Sequence, residues 1–223
     1  TIKDVADTAG VSVATASRVL SGHPATSAVA RAAVSGAAAT LGFRPNAQAR
    51  SLRKTRTQTI GLVLPDVRNP FFADLAQSVE QRAREFNFLT LFGNANESAE
   101  QQDRYFDIML SQRVDGLIAA PQGNLSNLQG ILDSGVPTVF VDRVIADTSV
   151  PSVTPDNVTG IQEAVRHLTG RGHRRIGYIA GPQSTSTGRE RLAAFKDALA
   201  ETLADNDADL IFLGNFQSAS GAA

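Results

Sequence analysis

From Thr59 onward the sequence alternates continuous apolar runs with amphipathic stretches, and no other feature narrows the fold as much. The runs are TIGLVL (59–64), FLTLF (88–92), DGLIAA (115–120), PTVFV (137–141), RIGYIA (175–180) and DLIFL (209–213). Helix-length segments separate them: about Asn69 to Phe86, about Ser98 to Gln112, near 125–133, from Asn157 to Thr169, and near 187–203. A strand covered by helices on both faces reads as an unbroken apolar run, whereas a half-exposed strand alternates apolar with polar residues. The pattern predicts βαβ units around buried parallel sheet, an α/β fold. Ligands of such sheets sit beyond the carboxyl ends of the strands, which points to the loops after 59–64, 115–120, 137–141 and 175–180.

The first segment follows a different rule and carries no strand signal. Ile2, Val5, Ala6 and Ala9 recur at helical spacing until Gly10 stops them. Ser12 can cap a second helix bearing Val13, Ala16, Val19 and Leu20, and Ser27 a third, alanine-rich one running to Leu41. Two short helices joined at Gly10–Val11 have the length and punctuation of a helix-turn-helix. The polar, basic stretch NAQARSLRKTRTQ (46–58) then reads as a linker with helical potential.

Charge separates the same two regions. The first 57 residues hold eight basic and two acidic side chains, leaving 13 basic and 20 acidic ones for the rest of a chain whose net charge is only -1. A basic head on an acidic body indicates that the head meets a polyanion. The absence of cysteine excludes disulfides and cysteine-based zinc sites. No stretch approaches the ~20 apolar residues of a membrane helix, and the N-terminus lacks an apolar signal core. The chain reads as cytoplasmic, without a membrane partner.

IKDVADTAGVSVATASRVLSG followed by LGFRPNAQARSL resembles the DNA-binding head of the lactose-repressor (LacI/GalR) family. The resemblance continues through TIGLVLPDVRNPFFADL, RVDGLIAAP, VPTVFVDR, PDNVTGIQEAVRHLTGRGHRRIGYIAGP, STSTGRERLAAFKDAL and GNFQSASG, in the family's order. It implies a transcription regulator, most commonly a repressor, that binds a palindromic double-stranded operator as a homodimer. It also implies a helix-turn-helix head (1–45), a hinge helix (46–58), and a periplasmic-binding-protein-like core of two parallel-sheet subdomains. These would span 59–155 and 156–223, the second incomplete, since family members continue well beyond this length. A small molecule, here expected to be a sugar or related polyol, binds the cleft between the subdomains; no cofactor or metal is expected.

Helical geometry puts Val13, Ala14, Ser17 and Arg18 on the face that enters a major groove. The resemblance makes Arg18 the base-reading arginine and Val13 and Ala14 the positions that set operator preference. As an isolated residue, Arg18 would be a solvated surface charge. Thr1, Ser12, Thr15 and Arg31 are expected phosphate contacts, and a capping role for Ser12 is compatible with that. Thr26 and Ala30 depart from the family's usual residues near the third helix. In the hinge, Leu52 sits where relatives insert a leucine into the minor groove, with Ala49 one turn earlier and Asn46, Arg50 and Arg53 as further DNA contacts.

For the cleft, the resemblance selects Phe71, Phe72, Asp142, Arg143, Thr187, Arg191 and Phe216. Core packing is the alternative role for one of the two adjacent phenylalanines. Thr185 stands where a purine-binding relative has arginine, which disfavours a purine. An enzyme on a Rossmann-like sheet is the rival class, but no G-x-G-x-x-G follows the first strand and no P-loop or Gly-x-Ser-x-Gly elbow occurs. His23, His167 and His173 are expected to be surface or helix-end residues. The remaining alternative is a sugar-binding protein without productive DNA regulation, against which the basic head and Leu52 argue.

Overall fold

A computed structural model describes residues 1–43, 56–202 and 208–221. The chain divides between Thr57 and Gln58 into two compact units. The expectations for Asn46, Ala49, Arg50, Leu52 and Arg53 lie outside the described residues.

The head consists of α1 (Ile2–Thr8), α2 (Val13–Leu20) and α3 (Ala28–Thr40). Gly10 adopts φ +65°, and behind it Val11 N donates to the Ala6 carbonyl while Gly10 N donates to that of Asp7. This pair of bonds satisfies the last carbonyls of α1 and turns the chain sharply into α2. Val5, Ala6, Ala16, Val34, Ala37 and Ala38 form a small core, with Ile2, Val11, Val19, Leu20 and Phe43 packed around it.

In the second unit β1 (Thr59–Leu64), β2 (Leu89–Asn94), β3 (Gly116–Ala119), β4 (Thr138–Val141) and β5 (Ser152–Val153) form one sheet in the order β2-β1-β3-β4-β5. All four pairings are parallel. Helices α4 (Pro70–Glu85), α5 (Ala99–Ser111) and α6 (Leu125–Asp133) alternate with the strands. Val63 faces a core containing Phe106, Met109, Leu117, Leu128, Ile131 and Phe140. Its neighbours Leu62 and Leu64 face Phe72, Leu75 and Val79 of α4 on the other side. Both faces of β1 are therefore covered, which explains its unbroken apolar sequence. Gly61 allows α5 to settle closely, because a Cβ there would lie 2.4 Å from Met109 Sδ.

A second parallel sheet pairs β6 (Tyr178–Ala180) with β7 (Ile211–Leu213). Against it pack α7 (Asn157–Gly170) and α8 (Ser186–Ala200), with Tyr178 stacked on Phe195 at 4.4 Å between centroids. A short 3-10 turn (Ala208–Leu210) precedes β7, and α9 (Ser218–Gly221) follows it.

The structure departs from expectation at three strand positions. The run expected at 175–180 is strand only from Tyr178, because its partner β7 begins at Ile211 and offers three residues for pairing. The run at 209–213 opens with the 3-10 turn for the same span. Strand β5 had no counterpart in the sequence reading: its two residues, Ser152 and Val153, are exposed and too few to form an apolar run.

Candidate DNA-reading face and ligand cavity

In the head, the Ser12 side chain accepts the Thr15 N–H at 3.1 Å, and the two hydroxyls lie 2.9 Å apart. Both residues expected to touch phosphate thus fix the start of α2. Ala16 is fully buried and Val19 and Leu20 pack beside it. The opposite face consequently presents Val13, Ala14 and Arg18 to solvent, with Ser17 half-buried. Among the described residues the Arg18 guanidinium has no hydrogen-bond or ion-pair partner. A small apolar surface with one free cationic arm has the dimensions a major groove admits.

Thr1 caps α1, its hydroxyl 2.9 Å from Asp4 Oδ2. Arg31 folds back over the turn before α3, donating to the Thr26 carbonyl at 2.6 Å and hydroxyl at 3.2 Å. Thr26 therefore anchors the arginine, a role the sequence reading did not foresee.

In the core unit, the seven side chains expected at the cleft line one cavity of about 260 Å³, joined by Asn69. Four segments deliver them, each following a strand or starting a helix. After β1, Asn69 accepts the Phe71 N–H and, with Pro70 in the first helical position, starts α4. That leaves Phe71 half exposed and Phe72 3% exposed in the core, their rings meeting edge to face at 5.1 Å.

After β4, Asp142 takes φ +61°, held by its N–H bond to the Val153 carbonyl. A non-glycine residue in this region is strained, and such strain collects at binding sites. Burial pushes the Asp142 carboxyl above its ordinary value, with Arg143 and Arg191 opposing. Thr187, in the first turn of α8, donates to the Asp142 carbonyl at 3.3 Å. Arg191 Nε donates to Asn157 Oδ1 at 2.7 Å, and Asn157 Nδ2 donates to Glu190. Phe216, after β7, adopts φ +64°, and its ring lies where a side chain on Gly181 would stand, 2.2 Å from a Cβ.

Arg143 is the largest fully buried side chain of the described chain. Its two terminal nitrogens donate to the two carboxylate oxygens of Glu97, each at 2.9 Å, and its guanidinium lies 5.7 Å from the Phe72 ring centre.

Two further contacts join the halves of this unit. Gln217 Nε2 donates to Asp66 Oδ2 at 2.8 Å, and the Val144 N–H donates to Ser186 Oγ at 3.0 Å. Arg68 beside Asp66, with Gln217 helping and burial opposing, holds the Asp66 carboxyl down at about 2.

The loop after β3 was expected at the same site. It instead lines a neighbouring cavity of about 410 Å³ with Val144–Asp147 and Ser184–Ser186. The buried Gln102 holds it there, bonding both the N–H and the carbonyl of Gln122. Sequence reasoning pointed to the loop after β1 that holds Asp66 and Asn69 without singling out either, and it missed Glu97, Asn157, Glu190 and Gln217. Glu97 lies beyond the carboxyl end of β2, so applying the strand-end rule to that strand as well would have found it.

Among the described residues no helix is long and apolar enough to cross a membrane. Residues 1–46 match the family described as "Bacterial regulatory proteins, lacI family", and residues 57–214 match "Periplasmic binding proteins and sugar binding domain of LacI family". The chain is 36% identical over 212 residues to the HTH-type transcriptional regulator GalR of Escherichia coli, covering 93% of this chain and 61% of that protein. It is 36% identical over 205 residues to the ribose operon repressor of Bacillus subtilis, covering 92% of this chain and 62% of that protein. It thus spans less than two thirds of the length of these relatives. Among solved structures, it resembles the Lac repressor dimer bound to operator and the anti-inducer ONPF. There the TM-score is 0.86 at 27% identity, over 99% of this chain and 67% of that one.

Proposed function

Because the chain belongs to the LacI family of bacterial regulatory proteins, we propose that it serves as a sequence-specific transcriptional repressor. In this reading a homodimer grips a palindromic operator in the cytoplasm, and a sugar or related polyol in the core cavity modulates the grip. The domain limits follow: head 1–45, hinge 46–58, core lobes 59–155 and from 156 onward. The observation that carries the DNA half is the exposed face of α2, where Arg18 stands among small side chains with no partner among the described residues. One such head makes too few base contacts to single out an operator, so two must act together.

The ligand half rests on the cavity, where aromatic faces from Phe71, Phe72 and Phe216 surround Asp142, Thr187 and Arg191. Aromatic walls suit the C–H faces of a sugar, and a few polar groups fix its hydroxyls. Modulation requires that the ligand favour one arrangement of the two lobes over the other. The Asp66–Gln217 and Val144–Ser186 bonds are the contacts that such a change would make or break. The role is one of binding and release, with no catalytic step. Selection from random duplex DNA at fixed salt tests it: enrichment of a palindromic motif is expected, and failure to enrich any motif refutes the reading.

A further inference from the structure

Counting charges alone, a cavity lined by two arginines would suit an acidic ligand. The hydrogen bonding reverses that conclusion. Arg143 has already spent its two terminal nitrogens on Glu97, in the bidentate geometry with which a free guanidinium would grasp a ligand carboxylate or phosphate. Among the described residues its Nε has no hydrogen bond, although it is buried, and lies 3.7 Å from Asp142 Oδ2. The pair therefore offers one N–H donor beside one carboxylate, and a hydroxyl both accepts and donates. Asp142 itself is 8% exposed and adds negative charge to the same wall. Arg191 is partly occupied as well, through Asn157 and, beyond it, Glu190.

We infer that Glu97 is a positioning and specificity-determining residue of the cavity: by pinning the Arg143 guanidinium it removes an anion receptor, so the site takes uncharged polyols and rejects their carboxylate or phosphate counterparts. This rests on the reading of the cavity as the ligand site. The backbone supports a built-in role, since Asn96 and Glu97 both lie in the left-handed region, at φ 49° and 55°, and the Glu97 N–H is tied to the Pro65 carbonyl. The raised Asp142 carboxyl is consistent with it, because Glu97 and Glu190 add to the effect of burial there.

Calorimetric titration of the full chain with neutral hexoses and pentoses, and with the matching uronic acids and sugar phosphates, tests the inference. The neutral form of the preferred sugar is expected to bind at least about tenfold more tightly than its acid. Glu97→Gln should narrow or invert that ratio by strengthening the acid. The double variant Glu97→Gln/Arg143→Met, which removes both charges together, should restore preference for the neutral form. Tighter binding of an acid by the unaltered chain overturns the inference, and so does a parallel loss of both ligand classes in Glu97→Gln, which would mark Glu97 as a structural prop only. A ligand-free readout separates this inference from the wider reading. Unfolding of the two single variants and the double variant should give a coupling well above that of a surface ion pair. Absence of coupling overturns the pinned guanidinium even if sugars bind, whereas coupling without binding of any sugar class leaves the pin in place and refutes the sugar reading.

Discussion

Arg18 is the one charged side chain on α2, and nothing within the described head competes for it. If it bonds a guanine edge, Arg18→Ala should cost about 1–3 kcal/mol against the cognate base pair and flatten preference at that position. Anisotropy titrations against single-base variants of a selected operator measure this; an unchanged preference removes Arg18 from the readout. In the core, two carboxyls respond to pH with opposite sign. The folded-state value of Asp66, about 2, lies below its ordinary 3.8. Its contribution to stability is therefore fully present above pH ~4 and fades as pH falls toward ~2. Asp66→Asn should be less stable than the unaltered chain at neutral pH, with the two unfolding curves converging across that acid window. Asp142 is raised by burial, so the folded state holds its proton more tightly than the unfolded one, and stability declines as pH rises through the folded value. Asp142→Asn should accordingly raise the melting temperature at neutral pH while weakening ligand binding. A melting temperature lowered by this substitution would contradict the assignment of burial as the dominant influence.

Elements were legible where the sequence carries its own end signals. Asn69 with Pro70, Ser98, Ser27 and Asp156 each bond a backbone N–H inside the following turn, and all open helices at the expected places. Strand β5 was illegible because two exposed residues on a sheet edge, Ser152 and Val153, make no apolar run. The cavity residues were named from the family pattern; periodicity could not have chosen Phe71 or Arg191. Glu97, Asn157 and Gln217 escaped because their partners stand 46, 34 and 151 residues away, joined only once the strands are in place. The start of α8 shows how tightly one element is set. A Cβ on Gly188 would stand 2.1 Å from the Pro182 carbonyl oxygen, and backbone cannot yield as a side-chain end can. Gly188→Ala should cost about 1–3 kcal/mol in chemical denaturation and displace Thr187 and Arg191. Retention of full stability would show that the turn has room the structure does not reveal.

At the scale of the whole molecule the charge division is the governing feature: the first 57 residues, head and hinge together, carry a surplus of six positive charges and precede an acidic remainder. Contacts to phosphate release counterions and weaken steeply with salt, whatever the sequence bound, whereas base contacts separate one sequence from another at any given salt. In the proposed function both kinds fall to the head, through Arg31, Thr15 and the start of α2 on one side and Arg18, Val13 and Ala14 on the other. The direct test is a salt series of dissociation constants for a selected palindromic duplex and a scrambled duplex of the same composition. Both affinities should fall with salt, while the palindrome stays bound more tightly by at least about 10³-fold throughout. Coincident curves at every salt concentration would contradict a reading head and leave only a basic surface.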